Sequence, residues 1–379
     1  MNRDDTVRRE PPISMSSPDI DESDVAAVAA VVRSGRLALG PKTEELEARI
    51  AVYAGTRHAV AVSSGTAALH LAVQGLGLGP GDEVLVPSFT FAASVNVLLF
   101  ERARPVFVDV EPDTYNLDPA DVERKIGPRT RAILAVDVFG HPAEWDALRS
   151  IAARHRLRLI DDSCEALGAA YRGVRLGSFG DAAAFAFYPN KQITTGEGGV
   201  LVTDDEALAA LARSLRNQGR GEMGAWLEHE RLGTNYRLDE MSAALGVSQL
   251  ERIETFLARR ERVARAYGER LARLDRVRAP LVRPHVRMSW FVYVVTLACG
   301  IERDPVMRAI EAAGIPVRGY FPPVHLQPYV RDLLGTGPGL LPVTEAIARR
   351  TIALPFHNRL ADDAIDRVVA ALAHALAAR

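Results

Sequence analysis

The chain has 379 residues, 48% hydrophobic and 25% charged, an ordinary globular composition large enough for a substantial core in two domains. A net charge of -2 leaves no electrostatic footprint for nucleic acid or an anionic membrane, and no apolar run reaches the roughly 18 residues that a membrane span needs. Two cysteines, Cys164 and Cys299, cannot build a disulfide framework and fit a reducing cytoplasm, and nine scattered histidines without H-x-x-x-H or C-x-x-C spacing give a metal site no support.

Residues 1–13 read as a mobile tail, charged throughout Met1–Glu10, with no apolar signal core and with paired prolines at its end. Ser23-Asp24 caps a helix that runs through Val25, Val28 and Val32 to Gly35. Gly40-Pro41 breaks the chain before a second helix carrying Leu46 and Ile50.

From Ala59 the chain alternates between strand and helix. Ala59–Val62 is a strand, and Ser64-Gly65-Thr66 turns into a helix with Leu69, Ala72, Val73 and Leu76 at i, i+3, i+4 and i+7. Strands follow at Val84–Val86, Val106–Val108, Ile133–Val136 and Leu157–Ile160, with helical stretches between them. That order predicts an α/β domain whose mainly parallel sheet is covered on both faces. The run Gly75-x-Gly77-x-Gly79-Pro80-Gly81 resembles a dinucleotide loop, but it follows a helix and precedes a strand, so it reads as a turn.

Ala183–Phe187 is a short apolar run of buried-strand length, ended by Pro189. Lys191 then stands on an irregular, Gly-rich loop before the strand Val200–Thr203. Burial between two apolar strands would free its amine for Schiff-base chemistry; the alternative is a surface lysine in a hairpin. After Gly233 a long amphipathic helix is predicted from Leu250 through Ile253, Leu257, Tyr267 and Leu271 to Leu274. A strand over Ser289–Leu297, a helix over Asp304–Ala313, a Pro-rich loop over Pro316–Pro328 and a terminal helix complete a smaller α+β unit. The division expected is a large domain over 14–255 and a small one over 256–379.

Three other stretches fit a lysine that holds pyridoxal phosphate. Leu159-Ile160-Asp161-Asp162 ends a strand in paired carboxylates, and a buried carboxylate opposite a ring nitrogen keeps it protonated. A solvated acidic loop is the alternative. Ser63-Ser64-Gly65-Thr66 opens a helix, where free N–H groups and the dipole attract a phosphate, although an ordinary N-cap reads the same way. Pro87-Ser88-Phe89-Thr90-Phe91 places aromatic rings at another strand end; for Phe89, core packing is the better reading.

With these stretches in this order, the chain resembles the DegT/DnrJ/EryC1/StrS family of fold-type I aminotransferases, which act on nucleotide-linked sugars. The resemblance runs from about Ser14 to the C-terminus. It is carried by Ser64-Gly65-Thr66-Ala67-Ala68-Leu69, Asp161-Asp162-Ser163-Cys164-Glu165-Ala166-Leu167-Gly168, the Lys191 loop, Asn235-Tyr236-Arg237-Leu238-Asp239-Glu240 and Pro323-Val324-His325-Leu326-Gln327, among others. It implies an α/β large domain with a mixed, mostly parallel sheet and a smaller α+β C-terminal domain. It implies that Lys191 forms the Schiff base with pyridoxal 5'-phosphate and moves the proton, that Asp162 partners the pyridine nitrogen and that Phe91 stacks on the ring.

The resemblance further implies that Gly65 and Thr66 hold the phosphate and that Glu165 lies near the cofactor's phenolic oxygen, where many relatives carry glutamine. Asn235 would reach the neighbouring subunit's phosphate, which implies a homodimer with shared sites. His325 would stand on the substrate side, as would Arg318, where many relatives have histidine. Ala186 replaces a serine that often adds a phosphate contact. The loop Thr194-Thr195-Gly196-Glu197-Gly198-Gly199 resembles the branch that aminates the C4 ketone of 4-keto-6-deoxy sugars with an amino-acid donor, expected to be glutamate. Amination at C3, or a non-catalytic regulatory protein on the same fold, are the competing readings. A lysine at 191 excludes the dehydratase branch, which carries histidine there.

Overall fold

The structure, a computed structural model, describes residues 11–221 and 228–377. Most of the expected tail, residues 1–10, lies outside that range. Helices α1 (Glu22–Ser34) and α2 (Pro41–Ala54) lead into β1 (His58–Val62), α3 (Gly65–Gly75), β2 (Glu83–Pro87), α4 (Ala93–Phe100) and β3 (Arg104–Val108). Next come α5 (Pro119–Lys125), β4 (Thr130–Val136), α6 (Trp145–His155) and β5 (Arg158–Asp162), then the short β6 (Ala170–Tyr171) and β7 (Val174–Arg175). β8 (Ala182–Ala186), β9 (Gly199–Thr203), α7 (Glu206–Arg216), α8 (Glu240–Glu251) and α9 (Ile253–Leu271) follow. The remainder is β10 (Val277–Arg278), β11 (Val286–Arg287), β12 (Tyr293–Leu297), α10 (Arg303–Ala312), α11 (Pro328–Leu334), α12 (Pro342–Ala348), β13 (Thr351–Leu354) and α13 (Asp362–Ala377).

Seven strands form the main sheet in the order β1-β9-β8-β5-β4-β2-β3. Every pair from β8 to β3 is parallel, and β9 alone runs against its neighbours β1 and β8. This is the mixed, mostly parallel sheet of the expected fold class. The strands read as continuous apolar runs because helices cover both faces. α3, α4 and α7 pack on one face with Leu69, Val73, Leu98 and Leu208 against Val60, Val84 and Leu134. Trp145, Leu148 and Ile151 of α6 cover Ile133 and Leu159 on the other. Each fully buried aliphatic side chain contributes about 1.5–3 kcal/mol. A second, antiparallel sheet, β10-β12-β13, lies in the C-terminal part, and a third, β11-β6-β7, pairs residues 286–287 with the hairpin of residues 170–175.

Four sequence expectations shift. Asp21, not Ser23, caps α1: its carboxylate accepts the N–H groups of Ser23 and Asp24, and the Asp24 carboxylate accepts the N–H of Asp21 in return. Aspartate caps as well as serine does, so the start moved two residues. The single long helix is two, α8 and α9, broken at Arg252, whose guanidinium pairs with Asp21 and Asp24. The break lets α8 pack on α1 and α2 while α9 turns to α13. The strand over Ser289–Leu297 begins only at Tyr293: Trp290 has φ 55, and the N–H groups of Ser289 and Phe291 bond to Gly140 and Phe139 instead. The Pro316–Pro328 loop also contains a 3-10 turn over Val324–Leu326. The Gly75–Gly81 run is a turn joining α3 to β2, with φ 70 at Gly77 and φ 93 at Gly81.

Candidate active site

β1, β2, β4, β5 and β8 all end at the same edge of the sheet, and that edge is where parallel α/β sheets place their ligands. A cavity of about 520 Å³ opens there. Its lining includes Gly65 and Thr66 after β1, Phe91 after β2, Asp162 at the end of β5, Glu165 just beyond it, and Lys191 after β8. Six of the sequence-derived candidates thus meet in one place.

Each is held by local structure. Ser64 Oγ accepts the N–H of Ala67 as the N-cap of α3, so the first-turn N–H groups of Gly65 and Thr66 are left as donors at the cavity wall. A Cβ on Gly65 would lie 2.7 Å from Ala186 Cβ and 2.8 Å from Cys164 Sγ. One on Gly199 would lie 2.5 Å from the Ser64 carbonyl. The backbone here is packed closely enough that only glycine fits at either place. The Asp162 carboxylate is buried and accepts from Ser94 Oγ at 2.6 Å and from the Cys164 N–H at 3.2 Å. Two donors fix it pointing at the cavity.

Lys191 Nζ lies 3.7 Å from Glu165 Oε1 and 3.7 Å above the centre of the Phe291 ring, with its side chain 13% exposed. Glu165 Oε2 accepts the Phe139 N–H at 2.9 Å. Burial pushes the Glu165 carboxyl above its usual range, and the charge of Lys191 opposes that shift. Phe91 is 65% exposed at the rim, whereas Phe89 is fully buried among Tyr115, Phe139 and Phe321, as core packing expects.

Three candidates lie outside the cavity lining. Asn235 is exposed, in a short bridge to Asn217. Arg318 is largely exposed, facing Glu311 at 3.9 Å. His325 is 0% exposed: its Nδ1 meets Ser88 Oγ at 2.6 Å and its Nε2 meets Glu345 Oε1 at 3.3 Å, which fastens its loop to the end of β2. Burial pulls the His325 imidazole below its usual value.

Sequence reasoning passed over Ser94, Phe291 and Arg260. Arg260, buried on α9, donates to the carbonyls of Asn190 and Lys191 at 3.3 and 2.8 Å and to those of Trp290 and Phe291 at 2.9 and 3.1 Å. It ties the lysine loop to the loop that puts a ring beneath the lysine. Burial lowers its pKa to about 10. The signal was helical register, since position 260 falls i+4 from Phe256 and i+3 from Leu257 on the buried stripe. Ser94 and Phe291 carry no local mark, because only tertiary packing brings them to the site.

Among the described residues, the lining holds one cation, Lys191, against the carboxylates of Asp162, Glu165 and Glu197. Among the described residues, no cluster of His, Cys, Asp and Glu could hold a metal ion, and no helix is long and apolar enough to cross a membrane.

Comparison with known proteins returned consistent matches. The model of the DegT/DnrJ/EryC1/StrS aminotransferase family matches residues 18–373. The GDP-perosamine synthase of Caulobacter vibrioides is 42% identical over 367 residues, 96% of this chain and 98% of that protein. The dTDP-3-amino-3,4,6-trideoxy-alpha-D-glucose transaminase of Streptomyces venezuelae is 42% identical over 351 residues, 92% of this chain and 90% of that protein. Among solved structures, S. venezuelae DesV in complex with a ketimine intermediate superposes with a TM-score of 0.90 at 40% identity, covering 96% of this chain and 98% of the other.

Proposed function

The chain belongs to the DegT/DnrJ/EryC1/StrS aminotransferase family, a family of pyridoxal-phosphate-dependent transaminases, and on that premise we propose that it moves an amino group from an amino acid, glutamate, to the C4 ketone of a nucleotide-linked 4-keto-6-deoxy sugar. One observation supports the cofactor chemistry: Lys191 Nζ, Asp162 and the N-terminus of α3 line a single cavity, Lys191 beside Glu165. The choice of C4 rests on the resemblance of the loop Thr194–Gly199 to the branch that aminates that carbon. The glycines at 65 and 199 let the first turn of α3 pack directly on Ala186, Cys164 and the start of β9, which fixes its N–H groups at the cavity wall where a phosphate could accept them.

Pyridoxal phosphate, when bound, supplies the electron sink for the carbon that gains or loses nitrogen. Gly65 and Thr66 donate N–H groups to its phosphate. Asp162, steadied by Ser94, holds a proton on the ring nitrogen. Phe91 covers the ring from the rim. Lys191 Nζ would hold the cofactor at rest and, once freed by the incoming amine, would act as the base and acid that moves a proton on and off the reacting carbon in each half of the reaction. Glu165 accepts a hydrogen bond from Phe139 and keeps its second oxygen toward Nζ, so it biases where that proton rests.

A nucleotide diphosphate and a dicarboxylate donor need cations, and among the described residues this lining supplies one. We therefore read the working unit as a homodimer in which a partner copy completes each site, Asn235 reaching the neighbour's phosphate. His325 and Arg318 would act by fixing the loop between them, whose Tyr320 and Phe321 line the cavity. A second reading, amination at C3, is favoured by the equal identity to a relative named for a 3-amino sugar. A panel of 4-keto and 3-keto nucleotide sugars incubated with glutamate, read by mass spectrometry with NMR of the product, separates the two. Amination confined to C4 supports the proposal; amination confined to C3 replaces it with the second reading; no amination of either series overturns both.

A further inference from the structure

Behind Asp162, on the opposite face of β5, lies a second acidic cluster that the transamination does not use. Asp137, Asp161 and Ser163 are each 0% exposed. Ser163 Oγ stands 2.6 Å from Asp137 Oδ2 and 2.7 Å from Asp161 Oδ1. A serine hydroxyl has one hydrogen, so it can be directed at one of these oxygens while it must accept from the other. The hydrogen count closes only if one carboxyl carries a proton.

The surroundings say which. Asp137 is well supplied as an anion, because its Oδ1 takes the Ala143 N–H at 2.7 Å and the Trp145 indole N–H at 3.1 Å, and its Oδ2 faces Ser163. Asp161 has Ser163 as its one donor, its Oδ2 meets none, and its other polar neighbour is the Asp137 carboxylate itself, which can only accept while ionised. Apolar Ala135, Ile133, Ala166 and Leu148 belong to the core around them. The charged groups nearby are Asp137 on the same face and Asp162 on the other, with Glu165 and Lys191 beyond it. An ionised Asp161 would be a buried anion short of donors beside a second one, an arrangement that both desolvation and like-charge repulsion oppose.

We propose that Asp161 is a neutral carboxylic acid at physiological pH, hydrogen-bonded through Ser163 to ionised Asp137, and that this trio is a positioning device for Asp162. The device brackets its target: Asp161 precedes Asp162, Ser163 follows it, and the Asp137 N–H donates to the Asp162 carbonyl at 3.1 Å. It also leaves the strand end with one charge on the cavity side rather than two adjacent charges. Burial and the neighbouring Asp137 push Asp161 well above the usual carboxylate range, in agreement with the hydrogen count. The effect on Asp162 rests on the function proposed above, while the protonation state does not.

The test is infrared spectroscopy of the full-length protein at neutral pH, grown with carboxyl-13C aspartate. A protonated-acid carbonyl band that moves with the label and with deuterium exchange, and that disappears in Asp161→Asn, is the expected result. Its absence from the labelled wild type, or its survival in Asp161→Asn, overturns the proposal. If Asp161→Asn does not fold, Asp137→Asn replaces it: a labelled acid band that survives there supports a proton on Asp161, and its loss there overturns the proposal. No cofactor or substrate is needed, so failure here is distinct from failure of the proposed reaction. The positioning role is read in kinetics: Asp161→Val should lose tenfold or more in kcat with KM within twofold, and Asp161→Asn, which keeps a neutral donor, should restore at least half of wild-type kcat. Equal kcat in wild type and Asp161→Val would contradict it.

Discussion

Lys191 does its work only if its amine is both held and left reactive. A carboxylate 3.7 Å away and a ring face at the same distance hold it without a close ion pair. Lys191→Ala should abolish turnover and the borohydride-bleachable visible band while circular dichroism stays that of the wild type. Turnover above a trace would remove Lys191 from the mechanism. Asp162→Asn should retain bound cofactor, because Gly65 and Thr66 are untouched, yet lose at least 100-fold in kcat, since an amide brings no charge to hold a ring proton. Near-normal turnover would move that role elsewhere. That Gly65, Thr66, Phe91, Asp162, Glu165 and Lys191 converge could be read from the chain because each stands at or just past a strand end, and parallel strands share an edge. Arg260 escaped notice because an arginine on an amphipathic helix is normally counted with the solvated face. Here it faces four carbonyls and α9 buries it.

α9 is the element that turns local order into site geometry. It carries Arg260 into the gap between the Lys191 loop and the Phe291 loop, and it packs through Val263 and Tyr267 into the core. Arg260→Met would leave those carbonyls without donors, and each unmet bond costs about 1–3 kcal/mol. The cost of burying the guanidinium offsets part of this, so we expect a net loss of about 2–4 kcal/mol in urea unfolding. Arg260→Lys should recover only part, as an ammonium cannot span both loops. Unchanged stability in Arg260→Met would contradict the role. At the junction of β9 and α3, Gly199→Ala would force a methyl into the Ser64 carbonyl and separate the turn proposed to bind the phosphate from the sheet. Cofactor affinity should fall at least tenfold by fluorescence titration, and wild-type affinity would show that the turn is not a phosphate site. The alternation of strand and helix in residues 58–203 could be read from apolar periodicity. The break at Arg252 and the late start of β12 could not, since an ion pair to α1 and a left-handed Trp290 decide them.

At the scale of the molecule, the large unit over 14–255 and small unit over 256–379 remain a proposed division. In support, the strands of the main sheet fall within 58–203 and those of the second sheet within 277–354. The shared-site dimer makes a sharper prediction. Lys191→Ala and Asn235→Ala subunits, each impaired alone, should recover activity on mixing, up to half of wild type per mixed dimer, because both lesions fall in one site and leave the other whole. No recovery would mean that each subunit holds a complete site. Beneath these claims lies one requirement, that the cavity holds its cofactor on Lys191. The chain has three lysines, Lys42, Lys125 and Lys191, and the other two are engaged in ion pairs with Glu45 and Asp121. Borohydride reduction of the cofactor-loaded protein, followed by peptide mass spectrometry, therefore gives an unambiguous reading. A phosphopyridoxyl group on the Lys191 peptide alone is the predicted result. The same group on Lys42 or Lys125, or on no lysine, would contradict the account.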